Sequence, residues 1–321
     1  MIRFRPFLNC DPPALLRVWR EQPATRGLMQ PMSNLLLEIF VLSKPYFDRQ
    51  GLIVAHEDGE VIGFAHAGFG PNEARDDIST ELGIICVLAA RQHAERHEIL
   101  LALLDRCEGY LRDRGAKHIR VGGSFPYSPF YLGLCGGSDL PGVLSTDTET
   151  DQLLRNQGFR ESNRCLVFER SLHRFRPPVD RRVLQHRRNY RLVPQVNPQN
   201  AAWWEACVYG PTDRIRFKLE PKGGGESLGQ ITFWDMGPLS TRPNAGGMGM
   251  IDFWIDESMQ RQGLVLFLAS ESLKHLENSG IYRVETQTMV DKPGAIELLR
   301  KLDFVETHSG IFYTKGDEEE D

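Results

Sequence analysis

The chain lacks a long apolar run: its start, MIRFRPFLNCD, places Arg3 and Arg5 where a signal peptide or membrane helix would need hydrophobic residues. It also lacks paired cysteines. Its six thiols (Cys10, Cys86, Cys107, Cys135, Cys165, Cys207) include no CxxC, which argues against both a disulfide framework and a zinc cage. A basic excess is missing too, since the formal charge of the 321 residues is -5, and this disfavours a nucleic-acid partner. The expectations are a cytoplasmic protein with reduced thiols, no membrane, no nucleic acid and no metal. What remains is an ordinary globular composition in a chain long enough for two cores.

Local patterning is organised around turns. The run Leu52 to Ala67 is two apolar strands about Asp58-Gly59, a strong hairpin signal. A strand at 82–88 feeds a long helix at 95–114, and a strand at 117–121 follows. A Gly- and Pro-rich insertion spans 122–142, a short helix ends at Gly158-Phe159, and Cys165 to Glu169 reads as a strand. Residues 173–191 then break the pattern with Pro177-Pro178 and many arginines, which reads as a basic linker. The order recurs: a helix near 198–208, a hairpin at 214–234, a strand at 250–255, a helix at 263–278, a strand at 282–288, a helix at 294–302 and a strand at 311–314. The tail 316–321 is acidic.

The second half contains Ile255-Asp256-Glu257-Ser258-Met259-Gln260-Arg261-Gln262-Gly263-Leu264-Val265 between a strand and a helix, and later Leu302-Asp303-Phe304. This resembles the acyl-CoA motif of the GNAT acetyltransferase superfamily. The resemblance implies an α/β (α+β) fold of two tandem GNAT-like domains, each a mixed, mostly antiparallel central sheet flanked by helices. The implied divisions are residues 1–172, the linker 173–191, a C-terminal domain at 192–315 and the tail. It further implies that Gln260, Arg261, Gln262, Gly263, Leu264 and Val265 cradle the diphosphate of acetyl-CoA, or another acyl-CoA, as co-substrate. Physically, a helix N-terminus offers unpaired N–H groups and a positive dipole end, and glycine lets the backbone come close. Val265 departs from the small residue the family places there.

The first half shows the same order with a damaged turn, in which Glu95 replaces the glycine. A carboxylate about 4 Å from a phosphate, at an effective dielectric near 20, costs about 4 kcal/mol, roughly a thousandfold in affinity. CoA is therefore expected in the second half. His93 and His97 lie one helical turn apart, without a third ligand in view.

The family's chemistry needs a base, a polarised thioester carbonyl and a proton for the leaving thiolate. The base candidates are Asp252 and Glu285, and backbone N–H groups of Trp254 and Ile255 are placed at the carbonyl. The family's acid tyrosine falls at Leu299, and at Leu154 in the first half, so Tyr313 or Tyr282 is the candidate substitute. Tyr127, Tyr131 and Asp139 in the insertion are candidate substrate contacts. The expected activity is acyl-CoA-dependent N-acyl transfer to a primary amine of a small molecule or peptide. The alternative is a non-catalytic tandem module for ligand sensing or interaction.

Overall fold

In a computed structural model, residues 1–178, 181–239, 247–257, 259 and 263–316 are described. The elements run β1 (Arg3–Pro6), α1 (Pro12–Arg20), α2 (Asn34–Leu37), β2 (Leu52–Glu57), β3 (Glu60–Pro71), β4 (Ile78–Ala90), α3 (Arg96–Asp113), β5 (His118–Val121), β6 (Val143–Leu144), α4 (Thr148–Asn156) and β7 (Arg160–Ser171). They continue as α5 (Arg181–Asn189), β8 (Tyr190–Val196), α6 (Trp203–Tyr209), β9 (Arg214–Pro221), β10 (Gly229–Asp235), β11 (Gly247–Ile255), α7 (Leu264–Asn278), β12 (Arg283–Met289), α8 (Pro293–Lys301) and β13 (Val305–Gly316). The chain divides into two compact units, one of residues 1–165, 200–211 and 309–321, the other of 166–199 and 212–308.

In the first unit the sheet order is β1-β2-β3-β4-β5, with the C-terminal part of β13 beside β5. Among the described residues of this unit, β4 and β5 pair in parallel and the other pairs are antiparallel. Asp58 and Gly59 both have positive φ, the backbone of a tight hairpin turn, as the Asp-Gly signal predicts. The helix α3 lays Ile99, Leu103, Cys107 and Leu111 on one face of the sheet, with Leu153 and Leu154 of α4 in the same core. In the second unit β12, β11, β10, β9 and β8 are consecutive neighbours, with β11 and β12 the parallel pair. Here Leu264, Phe267, Leu268, Leu273 and Leu276 of α7 pack with Ile231, Phe233, Met248 and Val284.

Three stretches differ from the sequence expectation. The basic segment is not simply a linker, because Arg181–Asn189 is a helix of the second unit. Residues 200–211 join the first unit, since Trp204 is fully buried there, stacks on Tyr46 at 4.6 Å and donates its indole N–H to Pro126 O at 2.7 Å. Lys44 donates to the α6 carbonyls of Cys207 and Val208, where the negative end of the helix offsets the cost of burying an ammonium whose pKa burial lowers to about 8. Residues 309–316 also belong to the first unit, with Tyr313 opposite Val121 of β5.

The first unit buries an ion pair. Arg26 Nε meets Asp147 Oδ2 at 2.8 Å, Nη1 donates to Gln22 and Nη2 to Leu88 O at 2.6 Å, and both charged side chains are under a tenth exposed. Removing one member strands the other charge in low dielectric. We therefore expect Arg26→Met to destabilise the first unit by about 3–5 kcal/mol, and Arg26→Met with Asp147→Leu to recover most of the loss. Chemical denaturation followed by tryptophan fluorescence reads both, and equal losses in the single and double variants would contradict the account.

Candidate active site

The second unit's site begins with a backbone irregularity. Thr232 pairs with Asp252 but the next residue, Phe233, pairs with Met250, so Ile251 is an extra residue in β11, a β-bulge. On the other edge of β11, parallel pairing with β12 runs Gly247↔Arg283 to Met250↔Thr286 and stops. Both strands continue past that point without pairing, β11 to Ile255 and β12 to Met289. Eight residues after Ile255, the end of β11, Gly263 is the N-cap of α7 with φ +78°, a left-handed conformation that L side chains rarely adopt. A Cβ on Gly263 would have the Arg182 guanidinium as its nearest neighbour, at 3.6 Å. Among the described residues, the first turn of α7 therefore has a cation beside it.

Side chains alternate across the strands. Val284, Met248 and Ile255 enter the core under α7, so Glu285, Asp252 and Trp254 stand on the opposite face. Glu285 pairs with Arg283 Nη2 at 3.0 Å and is only 15% exposed in its side chain. Burial, assisted by Glu169, pushes its carboxyl above the usual carboxylate range against the pull of Arg283. Asp252 is more open and accepts from Gln230 Nε2 and, at 3.4 Å, from Thr232 Oγ1, with Arg216 at 4.0 Å. Trp254 is largely exposed.

Among the sequence candidates, Asp252, Trp254, Ile255, Gly263, Leu264, Val265 and Glu285 fall in one unit, on the second half of β11, at the start of α7 and on β12 opposite Gly249. Leu264 is fully buried and Val265 packs against the core, so the branched side chain starts the helix without disturbing it. Gln260, Arg261 and Gln262 lie outside the described residues. Leu299 is core. Tyr282 immediately precedes β12 and is more than half exposed.

Others need correction. Tyr313 belongs to the first unit and its hydroxyl donates to Asp151, a side chain of that unit, because β13 continues past the second unit. Tyr131 does not line an open pocket: it is fully buried, stacks on Trp19 and bonds His66 Nδ1 at 3.1 Å. Asp139 is buried as a loop brace, accepting from the backbone N–H groups of Phe125 and Leu140. Of the three, Tyr127 alone is exposed, with Arg120 over its ring. His93 bonds to Glu57, and among the described residues no three His, Cys, Asp or Glu side chains gather as a metal site.

The first unit repeats the backbone device. Its bulge is at Cys86, and its parallel pairing ends at Ile85↔Val121. Matching the two bulges and the two final pairs puts Val87 where the second unit has Asp252, and Arg120 where it has Glu285. Its turn is also shorter, residues 91–95 against 256–263. Side chains fill the parted edge: Arg26 donates to Leu88 O, and both Gln22 and Arg96 to Ala90 O. The cavity left beside β4, of about 60 Å³, is lined by Arg26, Cys86, Leu88, Val121, Asp147 and Leu154.

Residues 195–304 match the acetyltransferase (GNAT) family. Among solved structures, the chain is similar to a tandem GNAT protein from the clavulanic acid biosynthesis pathway (TM-score 0.69, 15% identity, 99% of this chain and 100% of that one). It is also similar to a GCN5-related N-acetyltransferase from Sphaerobacter thermophilus (TM-score 0.63, 13% identity, 99% and 97%). A third likeness is to the GCN5-related glucosamine N-acetyltransferase region of a fungal multi-domain GH3 beta-N-acetylglucosaminidase (TM-score 0.73, 12% identity, 98% of this chain and 38% of that one). No curated protein matches the chain. No helix among the described residues is long and apolar enough to cross a membrane.

A carboxyl raised by burial binds its proton more tightly folded than unfolded. Glu285 therefore contributes stability that is present below the ordinary carboxylate range and is lost as pH rises through its raised value. Melting curves of wild type and Glu285→Gln between about pH 4 and 7 should diverge in slope, the variant losing less stability as pH rises. Parallel curves would show a solvated carboxyl. Residues 195–304 thus match the GNAT acetyltransferase family, in a chain that has the tandem GNAT fold throughout.

Proposed function

We propose that the second unit is an acyl-CoA-dependent N-acyltransferase that takes acetyl from acetyl-CoA and gives it to a primary amine of a small molecule or peptide. The observation that carries this reading is the sequence of strand, parted edge and left-handed Gly263 opening a fifteen-residue helix. The N–H groups of the first turn of α7, which a helix leaves without partners inside itself, and the Arg182 guanidinium suit a diphosphate, and among the described residues the nearest atom to a Gly263 Cβ is 3.6 Å away. Bound there, acetyl-CoA supplies an activated acyl group, with the unpaired C-terminal ends of β11 and β12 as the place for its thioester.

The protein's part is proton management and positioning. Glu285, a buried carboxylate whose pKa burial raises, is suited to accept a proton from the acceptor's ammonium. The freed amine nitrogen forms a bond to the acyl carbon as the carbon–sulfur bond breaks. The departing thiolate takes a proton from water, since Leu299 occupies the family's acid position, and the new amide nitrogen gives its second proton back to that water. Asp252, open to solvent, holds the ammonium by charge on the same face.

Calorimetric titration with acetyl-CoA tests donor binding. Gly263→Glu should weaken binding roughly a thousandfold, from about 4 kcal/mol of repulsion, while Gly263→Asn, which tolerates the left-handed backbone, should bind within about tenfold of wild type. In a thiol-release assay Glu285→Gln should lower kcat by about a hundredfold or more. Wild type that does not bind acetyl-CoA would favour a non-catalytic sensing or interaction module.

A further inference from the structure

Gln287 is the first residue of β12 beyond the last parallel pair, Met250↔Thr286. Two residues from Glu285, it shares that residue's face of the sheet, opposite Val284 and the helical core. Its amide oxygen and amide nitrogen are both shut off from solvent, and neither has a hydrogen-bond partner. Among the described residues it is the one side chain with two such atoms.

That state is costly. A buried amide without partners forfeits its hydration at both ends, and a leucine or methionine of similar size would fill the place without the loss. Folded proteins seldom leave such a group unanswered, and where they do a functional partner is a leading explanation. The position agrees: Gln287 stands where the strands part, next along the face from the buried carboxylate assigned to the acceptor amine.

We propose that Gln287 is a specificity-determining residue for the acceptor, and that the acceptor amine carries a primary carboxamide; this rests on the acyltransferase reading above. The amide presents one donor and one acceptor side by side. A carboxylate offers only acceptors and would leave Gln287 Oε1 unpaired, while a second ammonium offers only donors and would leave Nε2 unpaired. A primary carboxamide places C=O and N–H on the same edge and answers both ends in one ring of two hydrogen bonds. An amino-acid amide and a free asparagine or glutamine side chain share this chemistry.

The test uses the full chain with acetyl-CoA and three amine ladders: glycinamide, β-alaninamide and γ-aminobutyramide, their carboxylate twins, and alkylamines of matching length. Thiol release should give the best carboxamide a kcat/KM about tenfold or more above its carboxylate twin and its alkylamine. Gln287→Met should melt higher than wild type, bind acetyl-CoA equally, and raise the carboxamide KM about tenfold with kcat within about twofold, erasing the preference. Gln287→Leu repeats the test with a second shape. Wild type that prefers carboxylates or alkylamines, or acetylates no carboxamide, overturns the proposal, as does a Gln287→Met that keeps the carboxamide preference. Absence of acetyl-CoA binding in wild type sinks the acyltransferase reading beneath it, whereas binding without carboxamide preference sinks this proposal alone.

Discussion

Everything at the site depends on where two parallel strands stop pairing. While β11 and β12 are hydrogen-bonded, their backbones satisfy each other and leave nothing for a ligand. Beyond Met250↔Thr286 that exchange ends, and the bulge at Ile251 turns the strand so that Asp252 and Trp254 stand on the same face as Glu285. A regular strand would put Asp252 on the α7 side, in the hydrocarbon core. One extra residue therefore decides whether the carboxylate is a liability or a tool.

The first unit shows what the same frame becomes when the edge is satisfied internally. Arg26, Gln22 and Arg96 donate to the carbonyls of Leu88 and Ala90, and Val87 and Arg120 stand in the places of the two carboxylates. Arg26 is itself held by Asp147, so its guanidinium cannot swing away without leaving a buried charge. The repeat thus conserves a backbone device and divides its consequences. One copy turns the parted edge into internal structure, and the other carries Asp252 and Glu285 there.

Local pattern made much of this legible. The Asp58-Gly59 hairpin, the long helices and the strand-turn-helix at Gly263 are written in periodicity and turn residues, and the structure has them within a few residues of the expected bounds. Partner choice was not legible. The apolar face of α6 would suit either core, and only the packing of Trp204 on Tyr46 and the bonds from Lys44 assign residues 200–211 to the first unit. The strand β13 reads as one element, yet its pairing with β5 takes Tyr313 out of the second unit. For the same reason Tyr131 and Asp139 looked like pocket residues, since aromatic and acidic residues in a long loop carry no mark of burial. Gln287 left no signal in the sequence, because its meaning depends on knowing that the pairing ends one residue earlier.

The two units also allow a comparison of stability with function on one backbone. At the register positions of Asp252, Glu285 and Gln287, the first unit has Val87, Arg120 and Gly122. Val87 is buried without penalty and Gly122 presents no side chain, so two of the three polar burdens are absent. The second unit instead keeps a carboxyl that burial holds above its ordinary range and an amide with no partner. Such groups lower the stability of the free protein by amounts that selection for folding alone would remove. Their concentration on one sheet face, at the point where the strands part, is what a binding site requires: groups kept unsatisfied by the fold so that a ligand can satisfy them.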